Sequence, residues 1–98
     1  IQLYNICEAV SMKLFEVLSK INDPKDLEIF FQDLCTPHEV EQMNQRIECA
    51  QLFLNGETYQ NISKKTDVSS ATLSRVSRCI QFGSGGYSKI LKRIVNEK

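Results

Sequence analysis

The sequence predicts an all-α protein of about six helices. Three observations carry that expectation. Apolar residues recur at spacings of three and four along most of the 98 residues, which is helical periodicity. Two proline-led helix starts, Asp23-Pro24 and Thr36-Pro37, stand directly before such stretches. No run alternates apolar and polar residues between turn formers, as a half-exposed strand would.

The first helix is expected over residues 3–21, where Ile6, Val10, Leu14, Leu18 and Ile21 form one apolar stripe. The second should run from about Pro24 to Leu34, because aspartate caps the free amides of a first turn and proline is pre-set for its first position. It carries Leu27, Ile29, Phe30, Phe31 and Leu34. Three consecutive large apolar residues cannot all face one partner, so this helix is touched from more than one side. In Thr36-Pro37-His38-Glu39, a capping box with proline at the first helical position starts a third helix. It passes through Val40, Met43, Ile47, Ala50 and Leu54 and stops near Asn55-Gly56, where glycine supplies a left-handed turn. His38 reads as an exposed first-turn residue without a partner for metal binding or catalysis.

Residues 58–80 then give a short helix, a tight turn and a second helix, with apolar residues only where two crossed helices would touch. Tyr59 and Ile62 are expected inward, Ser63 is the small residue for a close crossing, and Val68 plugs the base of the turn. Ser69 is a good N-cap, and Leu73 and Val76 form the inner face of the second helix. This is the pattern of a helix-turn-helix, whose second helix enters the DNA major groove. Its outer face presents Ser70, Ala71, Thr72, Ser74, Arg75 and Arg78. Small and polar groups there let a helix approach base edges, with methyls for thymine and hydroxyls that donate or accept. Ser63, Lys64, Lys65 and Arg78 complete the expected DNA face; the cations suit phosphates, which fix position without reading sequence. One position departs from the usual pattern. Asp67 stands where the turn commonly holds a glycine at positive φ, a region aspartate tolerates better than most residues.

Three of the four glycines fall in Phe82-Gly83-Ser84-Gly85-Gly86-Tyr87. A phosphate-cradling loop would need a preceding strand and a lysine at fixed offset, so a turn or hinge is expected, with anion binding by loop amides the weaker reading. The last helix, about Tyr87 to Asn96, carries Ile90, Leu91, Ile94 and Val95, while Lys89, Lys92 and Arg93 mostly face away.

The zero net charge hides an asymmetry. Residues 1–57 hold ten acids and four bases, giving −6, and residues 58–98 hold eight bases and two acids, giving +6. The helix-turn-helix lies in the basic part, and a local basic face can bind a polyanion even in a neutral protein. The plainer reading is a solvated surface. Cys7, Cys35, Cys49 and Cys79 form no CxxC, and there is one histidine, so a metal site is not expected. Reduced thiols buried in a cytoplasmic protein are the simple account. No run approaches the roughly 20 apolar residues of a membrane span. No signal-peptide pattern is present, and the start at Ile1 leaves room for a preceding segment.

At this point the chain resembles a known family. Leu34-Cys-Thr-Pro-His-Glu39, then Arg46, then Asn55-Gly-Glu-Thr-Tyr59, then Ser70-Ala-Thr-Leu-Ser-Arg75 are similar to the Trp repressor (TrpR) family. Phe82-Gly-Ser-Gly-Gly-Tyr87 is similar to its YerC/YecD-like branch of uncharacterised bacterial regulators. The resemblance implies an intertwined homodimer, double-stranded DNA as partner and a place in the bacterial cytoplasm. It implies a single domain over 1–98, with 1–57 mainly dimerisation helices, 58–80 the helix-turn-helix, and 81–98 the glycine-rich turn and C-terminal helix. The family's founder takes tryptophan as co-repressor. The positions matching its pocket are Thr36, Arg46, Arg75, Val76 and Cys79. Val76 stands where a glycine makes room for the indole, and Cys79 where a serine would bind the ligand's amino group. Filling a slot shaped for a ring typically costs about 1–3 kcal/mol, so tryptophan is not the expected effector. Arg46 and Arg75 can still hold another small anion; the blander reading pairs them with acids such as Glu48 or Glu39.

The function expected from these readings is a homodimeric, sequence-specific transcriptional regulator without a cofactor. The alternative is a helical dimerisation or adaptor module whose helix-turn-helix is structural and whose Ser70–Arg78 face is buried against protein. An enzyme has little to build on, with one histidine and no nucleophile beside a base.

Overall fold

The computed structural model describes residues 13–96, with the backbone alone at Asn96. Among the described residues the structure is helices and turns, without strands. Helix α1 covers residues 13–19, and the earlier part of the helix expected over 3–21, with Cys7, lies outside the described residues. The others are α2 (Pro24–Leu34), α3 (Pro37–Leu54), α4 (Tyr59–Lys65), α5 (Ser70–Phe82) and α6 (Gly86–Asn96). The chain divides into two compact units after His38.

In the first unit, α2 begins and ends where the sequence predicts. Asp23 is extended (φ −106°, ψ 126°), and its side chain accepts from the Lys25 amide at 3.0 Å. Its carbonyl takes the Leu27 amide at 3.1 Å, the first turn of the helix. Phe30 and Phe31 stand edge to face, ring centres 6.3 Å apart. None of the described residues in this unit is fully buried. Phe15 is 65% exposed and Ile29 60%.

The second unit has a closed core. Cys49 and Ala50 of α3, Ile62 of α4, and Leu73 and Val76 of α5 are inaccessible to solvent. Leu52, Phe53, Val68, Ile80, Tyr87 and Leu91 pack around them. Full burial of a Leu, Ile or Val side chain contributes roughly 1.5–3 kcal/mol, so the centre of gravity of this unit is the contact of α5 with its neighbours. Helix α5 packs against both α4 and α6. Gly56 closes α3 at φ +94°, and the turn is tied by the Gly56 and Glu57 amides, which donate to the Phe53 and Leu52 carbonyls at 3.0 Å each. The glycine-rich segment is a turn. Gly83 caps α5, its amide 2.8 Å from the Cys79 carbonyl, and a side chain at that position would collide with the same carbonyl oxygen. Tyr87 and Leu91 of α6 face the core, whereas Ile90, Ile94 and Val95 remain on an exposed second face.

Cys35, Cys49 and Cys79 are free thiols. Cys49 is wholly buried and the other two half-buried. Burial pushes the Cys49 thiol pKa up, and the neighbouring Glu48 carboxylate adds to the effect.

Candidate nucleic-acid interface

Helix α4 starts on a cap: Thr58 Oγ1 accepts from the Asn61 amide at 3.1 Å. Its single buried residue, Ile62, joins Leu73 and Val76 in the core. Ser63 is exposed, which corrects the expectation that it makes the close helix crossing. Ile62 is the α4 residue buried in the core, and Ser63 lies on the solvent side with Lys64 and Lys65.

The turn also differs from expectation. Thr66 (φ −123°, ψ 160°) and Ser69 (φ −65°, ψ 155°) are extended, and among the described residues only glycines have positive φ. Asp67 therefore sits in ordinary backbone. Four residues, Thr66 to Ser69, span the gap without a left-handed step. Thr66 anchors the entry: its hydroxyl donates to the Ile62 carbonyl at 2.9 Å, beside its own amide at 3.0 Å. Half-buried Val68 packs on the core as the plug the sequence predicts.

Ser69 caps α5 by accepting from the Thr72 amide at 3.2 Å, and its hydroxyl donates to Thr72 Oγ1 at 3.1 Å. With Leu73 and Val76 turned inward, Ser70, Ala71, Ser74, Arg75 and Arg78 are exposed and Thr72 is half-buried. Tyr59 is not an inward filler. It stays 39% exposed at the rim, its hydroxyl 3.0 Å from Ser74 Oγ and 3.4 Å from the Ser70 carbonyl. Sequence reasoning weighed its ring and missed its phenol; a tyrosine opening a helix beside a serine-rich partner helix was the available signal.

The two lysines of α4 differ. Lys65 Nζ lies 2.7 Å from Glu57 Oε2, an ion pair that ties the end of α4 to the residue before its cap. Lys64 is exposed beside it. The pair already occupies the ammonium that the sequence reading offered to phosphate.

Of the residues matched to an effector pocket, Thr36 is exposed in the first unit, just before α3. In the second unit Arg46 and Cys79 are half-buried, Arg75 is exposed and Val76 is sealed in the core. Val76 is thus a structural member of the α4–α5 contact and offers no open wall to a ligand. A separate cleft of about 370 Å³ is lined by Gln51, Leu54, Asn55, Leu91, Lys92 and Val95, none of them in that set.

Fold and surface together define a small all-α protein built around a helix-turn-helix. The family model of the Trp repressor protein matches residues 11–95. The chain is 38% identical over 82 residues to YerC of Bacillus subtilis, an uncharacterised protein, covering 84% of this chain and 79% of that one. Among solved structures it is similar to a candidate Trp repressor from Staphylococcus aureus, with TM-score 0.84, 33% identity, and 96% and 94% of the two chains covered. A TrpR-like protein from Eubacterium eligens gives TM-score 0.79 at 36% identity, covering 89% of each chain. The chain belongs to the Trp repressor family, on its YerC-like side. Among the described residues no helix is long and apolar enough to cross a membrane.

Proposed function

We propose that the chain is a sequence-specific DNA-binding transcriptional regulator, acting in the cytoplasm as a homodimer and indifferent to tryptophan. The observation that carries this is the division of α5. Its inner residues Leu73 and Val76 are completely enclosed, while Ser70, Ala71, Ser74, Arg75 and Arg78 stand free on the opposite side. A helix held so firmly from behind can present its first turns to base edges. Ala71, Thr72 and Ser74 are the base readers, and Lys64 and Arg78 position the phosphates. The exposed apolar surfaces of α2 and α6 support a second copy as the missing cover. A twofold axis would set two α5 helices about 34 Å apart, one turn of duplex.

The test is binding to random-sequence duplex across a salt series, followed by selection from a random pool. Affinity should fall steeply with salt, and the selected sites should be near-palindromic. Salt-insensitive binding, or none, would favour the adaptor reading. Tryptophan should leave both DNA affinity and the melting temperature unchanged, because Val76 fills the core where an indole would need space. A thermal shift on adding tryptophan would overturn that part.

A further inference from the structure

Resting on the regulator reading, we infer that Tyr59 is a specificity-positioning residue. Its phenol fixes the proton of Ser74, so that Ser74 meets the duplex as a hydrogen-bond acceptor while Thr72 meets it as a donor.

The assignment follows from counting hydrogens. The phenol of Tyr59 has one hydrogen to give and lone pairs to receive with. It faces the Ser70 carbonyl oxygen at 3.4 Å and Ser74 Oγ at 3.0 Å. A carbonyl oxygen only accepts. Both contacts are satisfied together in one way: Tyr59 donates to Ser70, and Ser74 donates to Tyr59. The single hydrogen of Ser74 is then spent toward α4, and its exposed side offers lone pairs.

Thr72 is polarised in the opposite sense. Ser69 accepts the Thr72 amide at 3.2 Å and donates its own hydroxyl hydrogen to Thr72 Oγ1 at 3.1 Å. Thr72 receives a hydrogen there and keeps its own for a third party. A lone serine or threonine hydroxyl rotates to suit either kind of base edge. Here two neighbours, one on α4 and one in the turn, remove that freedom.

The consequence is a chemical prediction about the bound site. In the major groove adenine and cytosine offer amino donors, while guanine, thymine and the adenine N7 offer acceptors. Ser74 should select an amino-bearing edge and Thr72 an acceptor edge. Arg75 and Arg78 cannot substitute in the first role, because guanidinium only donates.

The experiment is selection of bound duplexes from a random pool by the full chain, as wild type, Tyr59→Phe, Ser74→Ala and the double variant. The pair read by Ser74 is the one that Ser74→Ala flattens. In the wild type it should favour an amino-bearing base by about 3- to 10-fold, the worth of one hydrogen bond. Tyr59→Phe should flatten that same pair, leave the others and the salt slope intact, and add nothing in the double variant. A second variant acts without touching the α4 packing. Ser69→Asp keeps a strong cap but has no hydrogen to give, so Thr72 must donate inward. It should move the pair that Thr72→Ala flattens from an acceptor edge toward an amino-bearing one, while its charge weakens all sequences alike. Retention of the Ser74 preference in Tyr59→Phe, or an equal loss at every pair, overturns the inference. A wild type that selects no sequence at all overturns the regulator reading itself, and this inference with it.

Discussion

The two compact units of this chain bury their apolar residues to very different degrees. The described part of the first, residues 13–38, has no fully buried residue, and Phe15, Val17, Ile29 and Leu34 are substantially exposed. The second, residues 39–96, encloses five residues from three helices completely. Both are helical and similarly rich in large apolar side chains, so the contrast lies in how burial is completed. The second unit closes a core from its own helices. The described part of the first has the caps of a folded segment without an enclosed centre. The difference teaches that the second unit holds α5 from its own helices, while described apolar residues of the first, such as Phe15 and Ile29, stay exposed, where the proposed second copy would cover them.

The largest expected effect lies in the self-sufficient unit. Leu73→Ala should lower stability by about 2–5 kcal/mol, the usual cost of emptying a tightly enclosed site. Chemical denaturation followed by circular dichroism measures it. Because Leu73 joins α5 to α3 and α4, DNA binding should fall with folding and recover where the variant is folded. A loss below about 1 kcal/mol would mean the core is less tightly closed than the contrast requires.

Ile29→Asp probes the other unit. The side chain is 60% exposed in the chain, so in a lone subunit the change should be nearly neutral. In the proposed dimer it places a charge in an apolar interface. Sedimentation equilibrium should then show dimerisation weakened by about 30-fold or more, as for a central interface residue costing 2 kcal/mol. A wild type that stays monomeric at micromolar concentration would break the contrast, leaving the first unit's exposed surface without its expected occupant.

How much of this was legible in the sequence divides along physical lines. Helix starts are local chemistry. Asp23-Pro24 and Thr36-Pro37 carry their own instructions, and α2 and α3 begin at those prolines. Gly56 ends α3 in the left-handed turn its position predicts. Leu73 and Val76 were readable as inward because their spacing leaves one face for α4. What escaped depends on partners distant in sequence. The phenol of Tyr59 finds Ser74 fifteen residues on, and Lys65 finds Glu57 eight residues back. In each pair one partner lies outside the helix of the other, so no spacing within a single helix links them. Asp67 was read through the habits of a tighter turn, whereas the extended backbone around it removes the need for positive φ.

The ion pair gives a smaller test of the proposed reading surface. Each phosphate contact contributes about 0.9 to the slope of log affinity against log salt. Lys64→Ala should therefore reduce the slope by nearly one if Lys64 meets a phosphate. Lys65→Ala should change it less, since Glu57 holds that ammonium at 2.7 Å. Glu57→Gln should steepen the slope by up to the same amount by releasing Lys65 toward the duplex. Equal effects of the two lysine variants would show that the pair opens on binding. Unchanged slopes for all three would move the phosphate contacts off α4.

The smallest expected effect distinguishes the closed core by its chemistry. Cys49 is enclosed, and burial with the nearby Glu48 raises its thiol pKa in the folded chain. An unfolded cysteine titrates near 8.5. Below that pH both states keep the proton and the group contributes no pH dependence. As pH rises past about 8.5 the unfolded chain sheds its proton first, so stability falls until the folded pKa is reached. Cys49→Ala removes this contribution while every other titrating group remains. Its stability is lower at neutral pH because a core atom is lost, but its decline between pH 8 and 10 should be shallower than that of the wild type. Urea melts of both chains across that range measure the difference. Parallel curves would mean that the folded core admits a thiolate as readily as water does, and that α3, α4 and α5 are not sealed around Cys49.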